Sequence, residues 1–208
     1  MDGVIMWKLF KSAVAILLVI AAVHTYSLYQ DRKTLNDQII RLHVVADTDE
    51  PIAQDIKLKV RDEVLRLVDT IKSGAASKEE ALNMLQEQLP ALQDAANEVL
   101  QREGECCDAV VTLQKEAFPT REYDTFSLPA GVYDSLRITI GEGMGKNWWC
   151  VVFPDLCTPA ASADVEDTAV EAGFSNSLGN TLTREDGYEF RFLVLDCLGK
   201  LQNFFYMG

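Results

Sequence analysis

The sequence contains little positive charge and almost no histidine. Its 208 residues carry 19 Lys and Arg against 32 Asp and Glu, a formal net charge of −13, and only two histidines. A chain this acidic repels phosphate backbones, so we expect no nucleic-acid partner. It also gains nothing electrostatically from an anionic membrane surface. With 48% hydrophobic residues, the chain is long enough to bury an ordinary globular core.

The sequence also lacks the motifs of several enzyme classes. It has no Cys-x-x-Cys pair and only His24 and His43 as histidines, so we expect no structural zinc site. We expect no other metal and no cofactor. Neither a G-x-S-x-G elbow nor a Walker loop occurs. The glycines Gly141, Gly143 and Gly145 follow a predicted helix and precede a predicted strand, the reverse of a dinucleotide-binding loop. They predict a tight turn.

A long uncharged segment stands near the start of the numbering. Two lysines precede an apolar run at 13–23, and no charged residue occurs from 12 to 30. This pattern is typical of a secretory signal, whereas a membrane anchor needs about 20 apolar residues. We expect residues 1–29 to be a cleaved signal peptide or an anchor formed by 6–29, with the rest of the chain exported. A buried helix is the remaining alternative.

The five cysteines fit an exported chain. Cys150 and Cys157 close a loop of eight residues, and we predict a disulfide between them, which would stabilise the fold by roughly 2.5 kcal/mol. Adjacent Cys106 and Cys107 would point to opposite faces of a strand, so they are poorly placed to pair with each other. A thiol nucleophile at Cys150 with His43 as its base is the alternative to the disulfide.

Hydrophobic periodicity predicts an α+β fold. Strands are predicted at 39–46, 107–113, 121–128 and 148–153. Helices are predicted from 51 to 73, from 77 to 104 with a break at Pro90, in a short piece from Pro129 to Ile140, and near the C-terminus. This order favours a mostly antiparallel sheet of about four strands with helices packed on one face, preceded by the signal or anchor helix.

The second half of the chain divides by composition. A small, acidic and turn-rich stretch at 158–181 predicts a flexible connection between a core domain at 30–157 and a C-terminal helix at 182–208. We expect that helix to pack on the core. Its terminal Phe204–Tyr206 cluster either closes the core or docks on a partner. The helix carries one apolar stripe of Phe190, Leu193, Val194, Cys197, Leu198, Leu201, Phe204 and Phe205.

Residues at the end of the first predicted strand are candidates for a metal site or an acid–base site. Strand alternation puts Arg41 and His43 on one face, and His43 with Asp47 and Asp49 could form a metal or acid–base cluster. The two aspartates also stand where the following helix needs an N-cap and negative charge. The structural interpretation is favoured, because capping alone explains them.

The adjacent Trp148 and Trp149 are the least expected pair in the sequence. On a strand, one ring faces the core and the other faces outward. An outward tryptophan could bind a sugar or anchor a protein partner. Packing under the final helix is the alternative, since buried tryptophan is common.

Two blocks of the chain resemble the stage II sporulation protein R family. The first is RLHVVAD at 41–47, followed by DIKLKVRD at 55–62. The second is LPAGVYDSLRITIG at 128–141, followed by GKNWWCVVFP at 145–154 and by Cys157. Pro154-Asp155 departs from the family's usual double proline and alters only the turn. The resemblance spans about residues 39–157 and is loose beyond them.

The resemblance implies a signalling role without chemistry of its own. Proteins of this family are exported from the forespore into the space between two membranes, where they trigger a membrane-embedded aspartic protease that processes pro-sigma-E. The implied partner surface is the extracytoplasmic surface of that protease, and the membrane is touched only through the N-terminal segment. We expect no catalytic residue, and Arg41, His43, Trp148 and Trp149 are the candidates for partner binding.

Two other classes of function stay open at this point. A cell-wall hydrolase could use the two tryptophans as a sugar platform and His43 or Asp47 as catalyst. A passive module that binds the cell wall is the second. Turnover of peptidoglycan by the purified protein would favour the first, and sedimentation with cell wall alone would favour the second.

Overall fold

A computed structural model describes residues 3–123, 126–155 and 189–207. Its helices are α1 (Gly3–Gln38), α2 (Pro51–Lys72), α3 (Lys78–Glu87), α4 (Leu89–Glu103) and α5 (Glu189–Met207). Its strands are β1 (Ile40–Val45), β2 (Ala109–Phe118), β3 (Arg121–Glu122), β4 (Ser127–Leu128), β5 (Gly131–Ile140) and β6 (Asn147–Phe153). The connection predicted at 158–181 lies outside the described residues, as does Cys157.

The four longer strands form one mixed sheet in the order β2-β5-β1-β6. Strand β5 pairs antiparallel with β2, and β6 pairs antiparallel with β1. Strands β1 and β5 run parallel, because the chain crosses over through α2, α3, α4 and β2 before it returns beside β1. The α+β class with helices and a four-stranded sheet is confirmed, and the sheet is mixed rather than purely antiparallel.

The segment 131–140 is strand β5, and the helix predicted there is wrong. Val132, Leu136 and Ile140 recur every four residues, which suits a helix. However, β5 lies between β2 and β1 and is buried along most of its length on both faces, so its polar and apolar residues do not alternate cleanly. The predicted strand at 121–128 supplies only β3 and β4, which form a separate two-stranded ribbon.

Both faces of the sheet are covered. Ile40, Leu42 and Val44 of β1 pack with α2, α3 and α4, as the alternation predicts, in what we call the helix-side core. The opposite face carries a second cluster that the sequence analysis did not predict. We call this cluster the ribbon-side core; it consists of Leu35, Ile39, Phe118, Phe126, Leu128, Tyr133 and Val151. The end of α1 and the β3–β4 ribbon therefore cover the face that was expected to lack helices.

Asp47 and Asp49 bind the turn between β5 and β6, and the helix-capping role expected for them is wrong. Asp47 Oδ1 accepts the backbone N–H of Glu142 at 2.7 Å, and Asp49 Oδ1 accepts that of Lys146 at 2.7 Å. Helix α2 begins after Glu50, which makes no side-chain capping hydrogen bond. The two aspartates therefore bind the β5–β6 turn instead of capping α2.

The glycines of this turn are required by its backbone, as expected. Gly141 and Gly143 have φ values of +56° and +64°, which side chains rarely tolerate. At Gly145 a Cβ would lie 2.2 Å from the carbonyl oxygen of Thr48. The turn is therefore pressed against the loop that follows β1.

The predicted break at Pro90 is confirmed, since α3 ends at Glu87 and α4 begins at Leu89. The capping box at the start of α3 is also present. Ser77 Oγ accepts the N–H of Glu80 at 3.2 Å, and the Glu80 carboxylate accepts the N–H of Ala76 at 2.9 Å. Short-range signals therefore determine where these helices begin and end.

Helix α1 divides into an exposed part and a docked end. Large apolar side chains of its first part, such as Trp7, Leu17 and Tyr26, are exposed. By length and composition this helix can cross a membrane. A signal sequence has the same properties. The last turns are built into the domain, since Leu35 is fully buried and the carbonyl of Asn36 accepts a hydrogen bond from Lys78.

Helix α5 contacts β5, β2 and α1. Its buried face combines Phe192 and Leu195 with polar contacts. Asp196 Oδ1 accepts the N–H of Ala130 at 2.9 Å, and Asn203 donates to the carbonyl of Phe118 at 2.7 Å. Gly199 lies between these two residues along the helix, directly against Ala130. The apolar stripe predicted for this helix does not supply the docking face; Leu193, Leu201, Phe204 and Phe205 are exposed.

We predict that Gly199→Ala loosens α5. An added Cβ would lie 1.6 Å from the carbonyl oxygen of Ala130, so the helix must shift. Alanine raises the stability of an isolated helix by about 1 kcal/mol over glycine, whereas overpacking costs roughly 1–3 kcal/mol. We expect a net loss of stability in urea unfolding and faster amide exchange within α5.

The matched control is Gly104→Ala, at a helix end with φ +82° and no atom within 4 Å of the added Cβ. This substitution should cost about 1 kcal/mol through backbone strain alone and leave the exchange of α5 unchanged. Unchanged or increased protection of α5 in Gly199→Ala would contradict the docking described here.

Candidate partner-binding face

Three of the four predicted contact residues lie on the ribbon-side face of the sheet. Arg41 and His43 project from β1, and Trp149 projects from the neighbouring β6, where it pairs in register with His43. Trp148 lies on the opposite face and packs against the helix-side core. The alternation expected for the two tryptophans is thus observed, but both rings are half-buried.

Glu116 of β2 joins the polar groups of this face. Its carboxylate accepts hydrogen bonds from Ser135 Oγ at 2.9 Å and from Arg137, and it contacts His43 Nδ1 at 3.1 Å. Burial favours a higher pKa for Glu116, but the hydrogen bonds and charges of His43, Ser135 and Arg137 outweigh burial and lower it. Glu116 is therefore held as an anion between two basic side chains.

Arg41 is fully buried among aromatic rings. Its guanidinium carbon lies 4.0 Å from the centre of the Phe118 ring and 5.2 Å from that of Tyr133, and Nη2 donates to the hydroxyl of Tyr123 at 3.2 Å. Within the residues that the structure describes, Nε and Nη1 have no hydrogen-bond partner. Burial raises the pKa of Tyr133 to about 12 despite the nearby arginine charge. Cation–π contact is thus the main observed interaction of this guanidinium.

Trp149 separates the buried polar groups from the outside. Its ring stacks on His43 with centroids 3.7 Å apart and meets Phe118 edge to face at 4.9 Å. The guanidinium of Arg121 lies 4.8 Å from the same ring. We call Trp149 and Arg121 the Trp149 patch. The equivalent pair on the other face, Trp148 with Arg61 at 4.8 Å, is the Trp148 patch.

The burial of Arg41 and His43 restricts their predicted role. Their exposed fractions are 0% and 4%, so in this conformation a partner protein reaches neither side chain. They support Trp149 from beneath, and the half-exposed tryptophans are the parts of the predicted set that a partner can touch. Binding by any of the four residues stays a prediction.

Sequence reasoning missed Glu116, Arg137 and Arg121. The second strand was predicted to end at 113, but it continues to Phe118 and carries Glu116. Arg137 lay in the segment predicted as a helix. Extending the alternation of 109–113 by five residues would have placed Glu116 on one face of β2, but the arginines could be located only by strand pairing.

The metal and catalytic alternatives gain no support from this geometry. His43 contacts Glu116, while Asp47 binds the β5–β6 turn, so the proposed His43–Asp47 pair is not assembled. No group of three or more potential metal ligands occurs in residues 3–123, 126–155 and 189–207. Cys106, Cys107 and Cys197 are free thiols, and Cys150 is buried.

Comparison with known proteins identifies the family. The model of the stage II sporulation protein R family matches residues 36–163, more than half of the chain. The chain belongs to the stage II sporulation protein R family. The match spans β1 to β6, including both tryptophan patches and the β5–β6 turn. This membership supports a role in sporulation.

A curated relative agrees with this assignment. The chain is 39% identical over 121 residues to a protein named stage II sporulation protein R from Bacillus subtilis (strain 168). The aligned region covers 58% of this chain and 54% of that protein, so the match extends over about half the length of the curated relative. No solved structure matches significantly.

We predict that Glu116→Gln destabilises the domain in a pH-dependent manner. The folded pKa of Glu116 is lowered, so its contribution is present above the ordinary glutamate pKa of about 4.3 and is lost as the pH falls through the folded value. The variant should be less stable by about 1–3 kcal/mol at pH 7, and the difference should shrink in acid.

Glu87→Gln is the control for this experiment, because Glu87 is an exposed glutamate of α3. Chemical denaturation at several pH values should give the control nearly the stability of the parent throughout. A Glu116→Gln effect that persists undiminished at low pH would show that shape, rather than charge, is responsible.

The predicted Cys150–Cys157 bridge has a direct test. We expect alkylation of the unfolded, non-reduced exported protein to modify Cys106, Cys107 and Cys197 and to leave the other two cysteines unmodified, because those three are free in the structure. Mass spectrometry of the alkylated protein counts the modified thiols. Modification of all five would contradict the bridge.

Proposed function

We propose that this chain is a secreted signalling protein of endospore formation that activates a membrane aspartic protease, which in turn processes pro-sigma-E. In this proposal the chain crosses the forespore membrane, stands in the space between the two membranes, and performs no chemistry. Its domain binds the extracytoplasmic surface of the protease. The observation that carries the proposal is family membership, combined with an exposed apolar helix ahead of the matched domain.

The structure of the described residues suits a binding role better than a hydrolytic one. His43 and Glu116 are engaged with each other beneath Trp149, and Asp47 is engaged with backbone groups. A hydrolase would need a general acid or base within reach of the substrate. The catalytic candidates His43 and Asp47 are instead engaged in contacts within the fold.

Activation by binding requires that the domain prefer one state of the protease. A preference of about 1.4 kcal/mol shifts the ratio of two states tenfold. Contacts of this size commonly come from a few tryptophan and arginine side chains surrounded by less important residues. Each tryptophan patch provides one such pair, and together they place candidate contacts on both sides of β6.

The Trp149 patch is the favoured contact of the two. We predict that Trp149→Phe reduces both binding to the protease and processing of pro-sigma-E by about tenfold. A tenfold loss of binding is equivalent to about 1.4 kcal/mol. Phenylalanine keeps an aromatic ring on His43 but removes the part of the indole beside Arg121. Binding is measured by pull-down of the protease, and processing by co-expression with the protease and pro-sigma-E.

Val110→Ser serves as the matched control, because Val110 is an exposed apolar residue on β2, the strand at the opposite edge of the sheet from β6. It should bind and activate normally. Full activity of folded Trp149→Phe would remove this patch from the interface. Failure of the unaltered chain to support processing would contradict the proposed function, and turnover of peptidoglycan would favour the hydrolase.

A further inference from the structure

Helix α5 exposes several large apolar side chains near its C-terminal end. Phe204, Phe205 and Met207 have exposed fractions of 71%, 73% and 73%, and Leu201 is also exposed. The first half of the helix buries Phe192 and Leu195, whereas the buried residues of the second half are Gly199 and Asn203. This second half docks through a small and a polar residue and leaves two phenylalanines outside, the reverse of an ordinary surface helix. Such a patch marks an interaction site.

The exposed residues lie next to α1. A groove of about 410 Å³ runs between the two helices and is lined by Tyr29 of α1 and by Leu201 and Phe205 of α5. Arg32 of α1 donates a hydrogen bond to Gln202 across the same contact. The apolar patch of α5 is thus continuous with the end of the apolar surface of α1.

The charges on α1 indicate where a membrane surface would lie. Lys11 is the last charged residue before an uncharged run of 19 residues that ends at Gln30, and this run spans about 30 Å, the thickness of the hydrocarbon core. Tyr29 would then stand at the boundary, where tyrosine is enriched, and Arg32 and Lys33 would stand among the headgroups. The groove that Tyr29 shares with Phe205 lies at that level.

We propose that α5 rests on the lipid bilayer that α1 enters, with Leu201, Phe204 and Phe205 inserted among the headgroups and upper acyl chains. We infer a lipid bilayer rather than a protein partner because the apolar patch of α5 is continuous with the apolar surface of α1. Lys33, which also lines this groove, supplies a positive charge for anionic headgroups, although the chain as a whole is acidic and Lys200 is paired with Asp196. The domain is then held at the membrane surface by two helices. This inference goes beyond the proposed function and does not require the protease.

The test is spin-label accessibility in proteoliposomes of phosphatidylethanolamine and phosphatidylglycerol that contain the full chain. A nitroxide is attached at Phe205→Cys in a background of Cys106→Ser, Cys107→Ser and Cys197→Ser. The same label at Val110→Cys is the control. Val110 is also exposed, and it lies eight residues from Phe118 along β2, about 27 Å from the end of the strand that contacts α5.

We expect the label at 205 to collide severalfold more often with oxygen than with a water-soluble nickel complex, and the label at 110 to show the opposite preference. If the label at position 205 is as accessible to the nickel complex as the label at position 110, the proposal is overturned. The apolar patch of α5 would then be a candidate site for a protein partner. Lipid-like accessibility at both positions would also overturn it, because the contact would then not be specific to α5. Near-ultraviolet circular dichroism of both variants verifies that the domain is folded.

Discussion

Strand β1 is buried on both faces, and this burial determines where the rest of the chain must lie. All six of its residues are inaccessible, and it pairs with β5 on one side and β6 on the other. One face needs the apolar sides of α2, α3 and α4. The other carries Arg41 and His43, which are buried only because aromatic rings and Glu116 surround them. Without that second layer, the centre of the sheet would expose polar groups that water alone would have to satisfy.

The same strand connects the fold to its apolar helix. Only Ile39 separates α1 from β1, and Leu35 and Ile39 belong to the ribbon-side core. The exposed part of α1 is therefore joined to the middle of the sheet without a flexible linker, so a membrane that held α1 would also hold the domain close to its surface. The Trp149 patch lies over the ribbon-side core, and its position relative to α1 is thereby restricted.

The features that were predicted correctly are those determined by residues close to one another in the sequence. The alternation of Ile40–Val45, the capping box at Ser77 and the break at Pro90 all have causes within a few residues, and each was predicted correctly. Strand β5, the anion Glu116 and the docking face of α5 depend on neighbours distant in the sequence. Asp47 illustrates the difference, because its position favours a helix cap while its actual partner is the N–H of Glu142, 95 residues away.

We propose that α1 directs the folded domain out of the cytoplasm. This proposal is tested most directly by the free, exposed thiol of Cys106 in cells that express the full chain with Cys107→Ser and Cys197→Ser. A membrane-impermeant maleimide is added to intact cells and, separately, to lysed cells. The account predicts equal labelling of Cys106 in both samples. Labelling that appears only after lysis would place the domain in the cytoplasm and contradict the account.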